Sequence, residues 1–437
     1  MKKVPVFPIL LVNFVGSLGF SIVLPFLVFL VTKFGGNSMV YGIMGAVYPA
    51  FQLVGAPLLG KWSDIYGRKK ILLLSQAGTL AGWIIFFVSF YVPVTVIFNV
   101  NSNLFGIFAV TVPIIIIFIA RAVDGITGGN ISVANAYLAD ITDEKDRNRN
   151  FGKMSVSANI GFVAGPTLAG ILGATVYAEK LPVLAAIIIS LAAVVLILFF
   201  LPDSDPKPFK ESDAGSGIQK VLGHENKECF KDKHKKNIKL KDVLKIKFIP
   251  YFLILYFMIF LGFNFYYTAF PVHAVQKLGW NLGQMGAFFA VLSLLMALVQ
   301  GPLLSYVSKR ISESRLIIFG SFILGINFVL LYSNNTIIIF TSAALFALGN
   351  GLMWPSFLSL LSKAAGKVYQ GSVQGFANSM GSLASIAGLI AGGVIYARFA
   401  EVTFLIAAGV IFIVFVMAFR LLPIEKKCEL KPDLGNS

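Results

Sequence analysis

The sequence predicts an all-α membrane protein with twelve transmembrane helices in two six-helix bundles. Hydrophobic residues make up 57% of the 437 residues and charged residues only 13%, which lies outside the range of soluble domains. Apolar runs long enough to cross about 30 Å of hydrocarbon recur roughly a dozen times along the chain. Helices, rather than a β-barrel, satisfy the backbone polar groups within such runs.

Six predicted helices occupy the first half of the chain. The first is too long for the hydrophobic part of a signal peptide, so we expect it to be retained. Charged loops are predicted at residues 60–70 and 143–149, and a polar loop on the outer side at Asn99–Asn103. The helices cover roughly residues 6–32, 40–59, 71–92, 104–138, 152–175 and 181–201.

The middle of the chain has a different composition. Residues 202–247 contain twelve Lys against eight Asp and Glu, and few large apolar residues. This is typical of a flexible cytosolic tether that its lysines hold near anionic lipid. A short amphipathic helix on the bilayer surface, near Ile238–Ile246, is an additional expectation.

The second half repeats the pattern of the first. Its helices cover roughly residues 249–272, 281–304, 315–332, 336–361, 372–396 and 402–422. The predicted domains are a bundle at 1–201, a linker at 202–247, a bundle at 248–422 and a cytosolic tail at 423–437. Two bundles of this kind are typical of carriers that hold a solute between their halves at the midplane.

The net charge of +16 would favour a nucleic-acid partner in a soluble protein. With twelve spans and cytosolic termini, only Lys33, Lys180, Lys277 and Arg398 lie outside the membrane on the outer side. Arg121 lies within the membrane, so 31 of the 36 Lys and Arg residues are inside. This is the positive-inside pattern. It predicts a lipid bilayer, and no nucleic acid, as the surroundings of the chain.

Arg121 and Asp124 are ionisable residues within the predicted fourth helix. Three residues apart, they can interact along one helix face. Burial and the neighbouring guanidinium have opposite effects on the pKa of a carboxyl group, so Asp124 is a candidate for reversible protonation. Intramembrane ionisable residues usually mark functional sites. A permanent structural ion pair is the alternative.

Two further motifs stand out in the first half. A charged loop reads Gly60-x-x-x-Asp64-x-x-Gly67-Arg68-Lys69, and the fifth helix contains Gly161-x-x-x-Gly165-Pro166-x-x-x-Gly170. Small residues at such spacing let helices approach closely, and a helix-interior proline loosens backbone hydrogen bonding. The fifth-helix motif is therefore either a bending element or a packing contact.

These motifs resemble those of the major facilitator superfamily. The loop at residues 60–69 resembles its inner-loop signature, Arg121 its second signature, and residues 161–170 a motif of its proton-driven antiporters. The segments at 137–143 and 147–155 are similar to tetracycline/proton antiporters and their drug-efflux relatives. The resemblance covers the whole chain. It implies a bacterial plasma-membrane carrier that works as a monomer.

The resemblance also implies roles for the motif residues. Gly60, Asp64, Gly67, Arg68 and Asp140 are expected to form an inner gate, closed while the carrier faces outward. Arg68 and Asp140 lie at the same predicted membrane surface and could pair. The alternative is that these charges only set the topology.

The chain departs from the tetracycline antiporters in its carboxylates. No acid occurs between Met1 and Asp64, or between Asp64 and Asp124, so the first and third helices lack the acids those carriers use. This argues against a tetracycline–metal chelate as substrate and leaves proton coupling to Asp124, with Arg121. His273, at the outer end of the seventh predicted helix, is expected to be an interfacial side chain, with a second titrating group as the alternative.

Polar and aromatic residues within the predicted helices are candidates for contact with substrate. Such groups tend to face protein or water, although many only form hydrogen bonds between helices. Neutral amides and aromatic rings suit lipophilic or weakly polar molecules. The candidates are Asn13, Gln52, Gln76, Asn130, Asn264, Tyr267, Asn327, Asn350, Trp354, Gln374 and Asn378.

The sequence contains no signature of an enzyme. There is no phosphate-binding loop, no dinucleotide fingerprint and no spacing typical of a metal site, so no catalytic residue, cofactor or metal is predicted. The expected function is proton-coupled efflux of small lipophilic compounds. A uniporter or symporter of a small metabolite is the first alternative, and a transporter-like sensor or scaffold is the second.

Overall fold

The computed structural model describes residues 5–23, 25–103, 105–128, 130–142, 147–202 and 244–430. α-Helices form most of these residues. They are α1 (Phe7–Ser21), α2 (Leu27–Lys33), α3 (Ser38–Tyr66), α4 (Arg68–Val88), α5 (Val112–Thr127), α6 (Asn130–Ile141), α7 (Arg147–Gly173), α8 (Lys180–Phe200), α9 (Ile249–Gln276), α10 (Leu282–Leu298), α11 (Leu304–Val307), α12 (Glu313–Leu330), α13 (Thr336–Phe399), α14 (Val402–Ala418) and α15 (Leu421–Leu430).

Nine helical stretches in the described residues are long and apolar enough to cross a membrane. Two of them, Thr336–Gly366 and Val373–Phe399, are parts of α13. Three predicted spans are not among the nine. They correspond to the pair α1 and α2, the pair α5 and α6, and the 17-residue helix α14.

The prediction of a continuous first helix is wrong. The helix stops at Ser21 and resumes at Leu27, and Pro25, which has no backbone N–H, lies in the gap. The fourth predicted helix is also divided, since α5 ends at Thr127 and α6 begins at Asn130. Gly128 lies at this break, and helix-interior glycine costs backbone entropy.

The predicted loop at residues 60–70 is mostly helical. The helix α3 continues to Tyr66 and α4 begins at Arg68, with Gly67 alone between them. Gly67 has a φ of 98°, a conformation that only glycine adopts without strain. Charged side chains near a membrane surface do not themselves end a helix, whereas this backbone conformation does.

The predicted outer loop contains a β-hairpin, formed by the strands β1 (Val96–Ser102) and β2 (Gly106–Thr111). Val96, Ile97 and Phe98 are β-branched or aromatic, as is typical of strands. The asparagines that suggested a loop lie within or just after β1.

Two boundaries in the second half also differ from the prediction. The tenth and eleventh predicted helices are continuous in α13 except for a kink at Gly366, whose φ is 68°. The predicted tail begins with the helix α15. Its Glu425 is buried, and the carboxylate accepts hydrogen bonds from the backbone N–H groups of Glu313 (2.9 Å) and Ser314 (3.1 Å). Glu425 thus caps the first turn of α12.

The chain divides into two compact units. The described residues within 1–35, 47–99 and 109–237 form the first unit, and those within 36–46, 100–108 and 238–437 form the second. The predicted linker, including its amphipathic segment, falls largely on residues 203–243, which lie outside the described residues. The predicted domain boundaries therefore stay predictions.

Candidate functional site

The Arg121–Asp124 pair is buried in the first unit. Both residues lie on α5, and Arg121 Nη1 donates a hydrogen bond to Asp124 Oδ2 at 3.0 Å. Arg121 is only 5% exposed and Asp124 only 7%. The ring of Tyr48, from α3, lies under the guanidinium, with its centroid 4.9 Å from Cζ. Thr79, from α4, forms a side-chain hydrogen bond with Asp124.

Glycines bring the neighbouring helices close to this pair. A Cβ added at Gly82 of α4 would lie 3.0 Å from the carbonyl oxygen of Ala120 and 3.1 Å from Cβ of Asp124. A Cβ at Gly125 of α5 would lie 2.7 Å from the carbonyl oxygen of Tyr48. Because Gly82 and Gly125 have no side chains, α3 and α4 approach α5 closely and enclose the ion pair.

The hydrogen-bonding groups of the pair are not all satisfied. Arg121 Nε is buried and has no hydrogen-bond partner among the described residues. Gln52, a predicted substrate contact, instead donates to the Tyr48 hydroxyl at 3.1 Å and to the carbonyl oxygen of Gly128 at 2.7 Å. Gln52 thus orients the ring that lies against Arg121.

This arrangement can couple a proton to a conformational change. Arg121 and Asp124 are buried together as a pair of opposite charges. Protonation of the Asp124 carboxylate would leave the Arg121 guanidinium without a counter-charge in a medium of low dielectric. A buried unpaired charge is strongly unfavourable. Arg121 would then have to find another acceptor, or the helices would have to rearrange.

The predicted gate residues form a network within the first unit. Arg68 lies between two carboxylates, with Nη1 2.5 Å from Asp64 Oδ1 and Nε 2.9 Å from Asp140 Oδ2. Arg68 Nη1 also donates to Ser63 Oγ at 2.7 Å, and Ser63 Oγ donates to the carbonyl oxygen of Gly60. The network connects the α3–α4 junction to the last turn of α6.

Only one of the two predicted gate glycines is required by local geometry. Gly67 has the positive φ described above, whereas a Cβ at Gly60 would have no atom within 4 Å. The role of Gly60 as a gate residue stays a prediction.

The fifth-helix motif packs directly against α1. A Cβ at Gly161 would lie 2.5 Å from the carbonyl oxygen of Phe14, and one at Gly165 would lie 2.8 Å from the backbone nitrogen of Ile22. Pro166 and Gly170 are also buried. The geometry fits both the packing contact and the bending element.

Two predicted substrate contacts form interhelical hydrogen bonds. Asn13 of α1 donates to the carbonyl oxygen of Met154 in α7 at 2.9 Å. Asn264 of α9 donates to Ser385 Oγ of α13 at 3.1 Å and to the carbonyl oxygen of Phe260. These contacts are the alternative that the sequence left open. The side chain of Asn130 lies outside the described residues.

Trp354 and Asn378 belong to an aromatic group in the second unit. The rings of Tyr256 and Phe260 stack at 4.9 Å, and Trp354 meets both edge-on at 5.1 and 5.3 Å. The hydroxyl of Tyr256 donates to Asn378 Oδ1 at 3.0 Å, while Asn378 itself is exposed.

Three other predicted amides are buried with an unpaired atom. Gln76 Oε1, Asn327 Nδ2 and Asn350 Oδ1 have no hydrogen-bond partner among the described residues. A buried polar atom without a partner is unfavourable, so these positions suit water or a bound polar group.

The second unit has an ion pair that sequence reasoning missed. Lys363 Nζ lies 2.8 Å from Glu313 Oε1. Glu313 is the first residue of α12, as Arg68 is the first residue of α4, and both pair with a charge from a later helix. The first residue of α4 is the cation of its pair, whereas the first residue of α12 is the anion. Glu313 and Lys363 are fifty residues apart, and neither belongs to a motif identified in the sequence.

His273 is buried within the second unit. Its side chain is 0% exposed, and Nδ1 lies 3.2 Å from the Tyr396 hydroxyl and 3.9 Å from Glu401 Oε1. The helices α13 and α14 cover this end of α9, and the position of His273 at the membrane interface stays a prediction.

Comparisons with known proteins agree with the fold and with the motifs. Residues 9–388 and 252–435 match the family model described as Major Facilitator Superfamily. The chain is 28% identical over 367 residues to the class C tetracycline resistance protein of Escherichia coli, covering 83% of this chain and 81% of that protein.

Two further similarities cover nearly the whole chain. It is 26% identical over 419 residues to multidrug resistance protein 2 of Bacillus subtilis (strain 168), covering 93% of each. A crystal structure of a D-xylose–proton symporter superposes with a TM-score of 0.71 at 15% identity, covering 94% of this chain and 97% of that one. The predicted all-α fold and the resemblance to drug-efflux carriers are thereby confirmed, and the chain is an integral membrane protein. Its helices, its motifs and the family match over most of its length lead to one conclusion: the chain belongs to the Major Facilitator Superfamily.

Proposed function

We propose that the protein exports small lipophilic compounds across the plasma membrane in exchange for protons. The observation that carries this proposal is the buried Arg121–Asp124 pair, joined at 3.0 Å and enclosed by α3 and α4. A buried pair that includes a protonatable carboxylate can make helix packing depend on proton binding.

In this proposal a proton and the substrate use the carrier alternately. With Asp124 ionised, the pair is closed and Tyr48 covers the guanidinium. Proton binding at Asp124 releases Arg121, whose Nε is already unpaired, and changes the contact of α5 with α3 and α4. Release of the proton to the cytosol restores the ion pair.

The proposed substrate class rests on the polar groups that the chain provides. Amides and aromatic rings are the candidate contacts, among them Trp354 and Asn378, and these groups suit apolar molecules with few polar atoms. The names of the relatives, tetracycline resistance and multidrug resistance proteins, point to the same kind of cargo. The first and third predicted helices contain no carboxylate, which favours compounds other than a tetracycline–metal chelate.

A symporter of a small metabolite is the second candidate. The observation in its favour is the fold similarity to the D-xylose–proton symporter, since one fold serves both directions of transport. In either case the basic loops lie in the cytosol, and the protein works as a monomer.

Proton flux in proteoliposomes tests the function. Purified protein is reconstituted with a trapped pH-sensitive dye and challenged with lipophilic cations, neutral drugs and common metabolites. Export in exchange for protons predicts that lipophilic compounds drive proton movement opposite to their own. Proton movement in the same direction as a metabolite would establish the symporter instead, and solute movement without protons would refute coupling.

A further inference from the structure

We propose that His273 is a second proton-binding residue, located in the second unit beside Tyr396 and Glu401. The site is distinct from the Arg121–Asp124 pair, which lies in the first unit. The proposal does not depend on Asp124 being the coupling residue.

The first argument is the burial of His273 with only one of its two ring nitrogens satisfied. The side chain is fully buried, Nδ1 lies 3.2 Å from the Tyr396 hydroxyl, and Nε2 has no hydrogen-bond partner among the described residues. A histidine that only fills space or holds helices together usually has its polar atoms paired when buried. Since nothing holds Nε2, no second hydrogen bond fixes the neutral tautomer.

The second argument is the carboxylate beside the ring. Glu401, in the turn between α13 and α14, places Oε1 3.9 Å from His273 Nδ1. Partial burial raises the pKa of Glu401. A backbone hydrogen bond, Lys277 and His273 lower it by more, so its pKa is below the usual value. The carboxylate is therefore ionised at neutral pH, and it provides a counter-charge for an imidazolium.

The remaining groups around the ring are few. Lys277, one turn further along α9, places Nζ 3.4 Å from Glu401 Oε1, and its side chain is half exposed. Tyr396 comes from α13, and α14 contributes the ring of Phe404, edge-on at 5.3 Å. One carboxylate thus faces one permanent cation and one imidazole that can become a cation.

The chemistry of proton binding follows from these positions. In the neutral tautomer that carries its proton on Nε2, Nδ1 accepts a hydrogen bond from the Tyr396 hydroxyl. A proton that binds at Nδ1 makes the ring a cation, reverses this hydrogen bond and brings an N–H group to face Glu401. The carboxylate then divides its interaction between His273 and Lys277.

Proton binding at this site would act on three helices at once. His273 lies on α9, Tyr396 on α13, and Glu401 immediately before α14, so a change of charge alters the contact among all three. In the predicted topology this end of α9 faces the outside. The site would therefore respond to external acidity.

Nitrogen-15 NMR of the histidine rings tests the proposal on the full chain in lipid nanodiscs. The chain has three histidines, and the signal that disappears in His273→Gln identifies the ring. We expect this signal to titrate reversibly between pH 5 and 8. Glu401→Gln should move the midpoint to lower pH by about one unit, since an opposite charge within about 4–6 Å has an effect of this order.

Two more variants make the test selective. Lys277→Gln changes a half-exposed side chain and should move the midpoint to higher pH, because Glu401 then serves His273 alone. Glu179→Gln, an acid-to-amide change in the first unit, should leave the midpoint unchanged. A ring signal that does not titrate between pH 5 and 8, or a midpoint that neither Glu401→Gln nor Lys277→Gln moves, would overturn the proposal. Neither result depends on whether the protein transports any compound.

Discussion

At the scale of the residue, Gly67 sets the geometry of the proposed gate. It is the only residue between α3 and α4, and its positive φ places Arg68 at the start of α4, where the guanidinium reaches Asp64 and Asp140. With a ψ of 144°, Gly67 lies in a sparsely populated region where an L-residue with a side chain is strained by about 1–3 kcal/mol.

We therefore expect Gly67→Ala to lower the free energy of unfolding by about 1–3 kcal/mol and to lower the melting temperature in detergent. Gly60→Ala is the matched comparison within the same motif, since its Cβ would meet no atom within 4 Å. Gly60 lies inside α3, where alanine costs less backbone entropy than glycine, so the melting temperature should equal or exceed that of the wild type. Equal melting temperatures for the two variants would contradict this reading of the loop.

The sequence could predict contacts between residues that are close in sequence or that belong to a recognised motif. Arg121 and Asp124 are three residues apart on one helix, and Arg68 and Asp140 belong to motifs of known relatives. The contacts of Glu425 with the start of α12, and the burial of His273 under α13 and α14, join positions more than a hundred residues apart. No periodicity or spacing in a single sequence encodes such contacts.

At the scale of the element, the close approach of α7 to α1 is the clearest contact between helices in the first unit. Gly161 and Gly165 lie against backbone atoms of α1, and Ser21 Oγ donates a hydrogen bond to the carbonyl oxygen of Gly161 at 3.2 Å. Pro166 follows directly. If α7 moves against α1 during transport, any side chain at Gly165 obstructs that movement.

Gly165→Leu should abolish turnover, because the new side chain would clash with backbone atoms of Leu18 and Ile22. Overpacking of this kind costs about 1–3 kcal/mol, so part of the protein should still fold. Turnover is measured per folded molecule after size-exclusion chromatography. Gly409→Leu, at a position on α14 where a Cβ would meet nothing within 4 Å, is the control and should be tolerated. Normal turnover in Gly165→Leu would show that the motif is only a packing contact between α7 and α1.

The positions of the nine long apolar stretches were predictable because each span needs a long apolar run. The interruptions were not. The breaks at Pro25 and Gly128 lie within apolar sequence, and hydropathy does not distinguish a continuous helix from two short ones. The hairpin Val96–Thr111 was missed for a related reason, since its apolar and asparagine residues also occur in loops and helices.

At the scale of the whole molecule, the two halves share a design with reversed charges. Arg68 begins α4 and pairs with Asp140, while Glu313 begins α12 and pairs with Lys363. Each unit thereby holds the start of one helix against a later helix with an ion pair.

Asp64→Asn should weaken the outward-facing state by removing one of the two carboxylates at Arg68. Spin labels on the α3–α4 and α11–α12 loops would report this as a larger population of long distances. Asp140→Asn removes the other carboxylate and should also increase the population of long distances. Unchanged distance distributions in both variants would exclude these residues as a gate.

The most direct test of the account is compound-evoked proton flux in proteoliposomes that contain Asp124→Asn, compared with wild type and with Glu179→Gln. The amide keeps the shape of the side chain but cannot exchange a proton, so Asp124→Asn should insert and fold normally and yet lose all flux that depends on the pH gradient. Glu179→Gln, which changes a loop acid paired with Lys33, should retain it. Flux at the wild-type level in Asp124→Asn would contradict the account and identify Arg121–Asp124 as a structural ion pair.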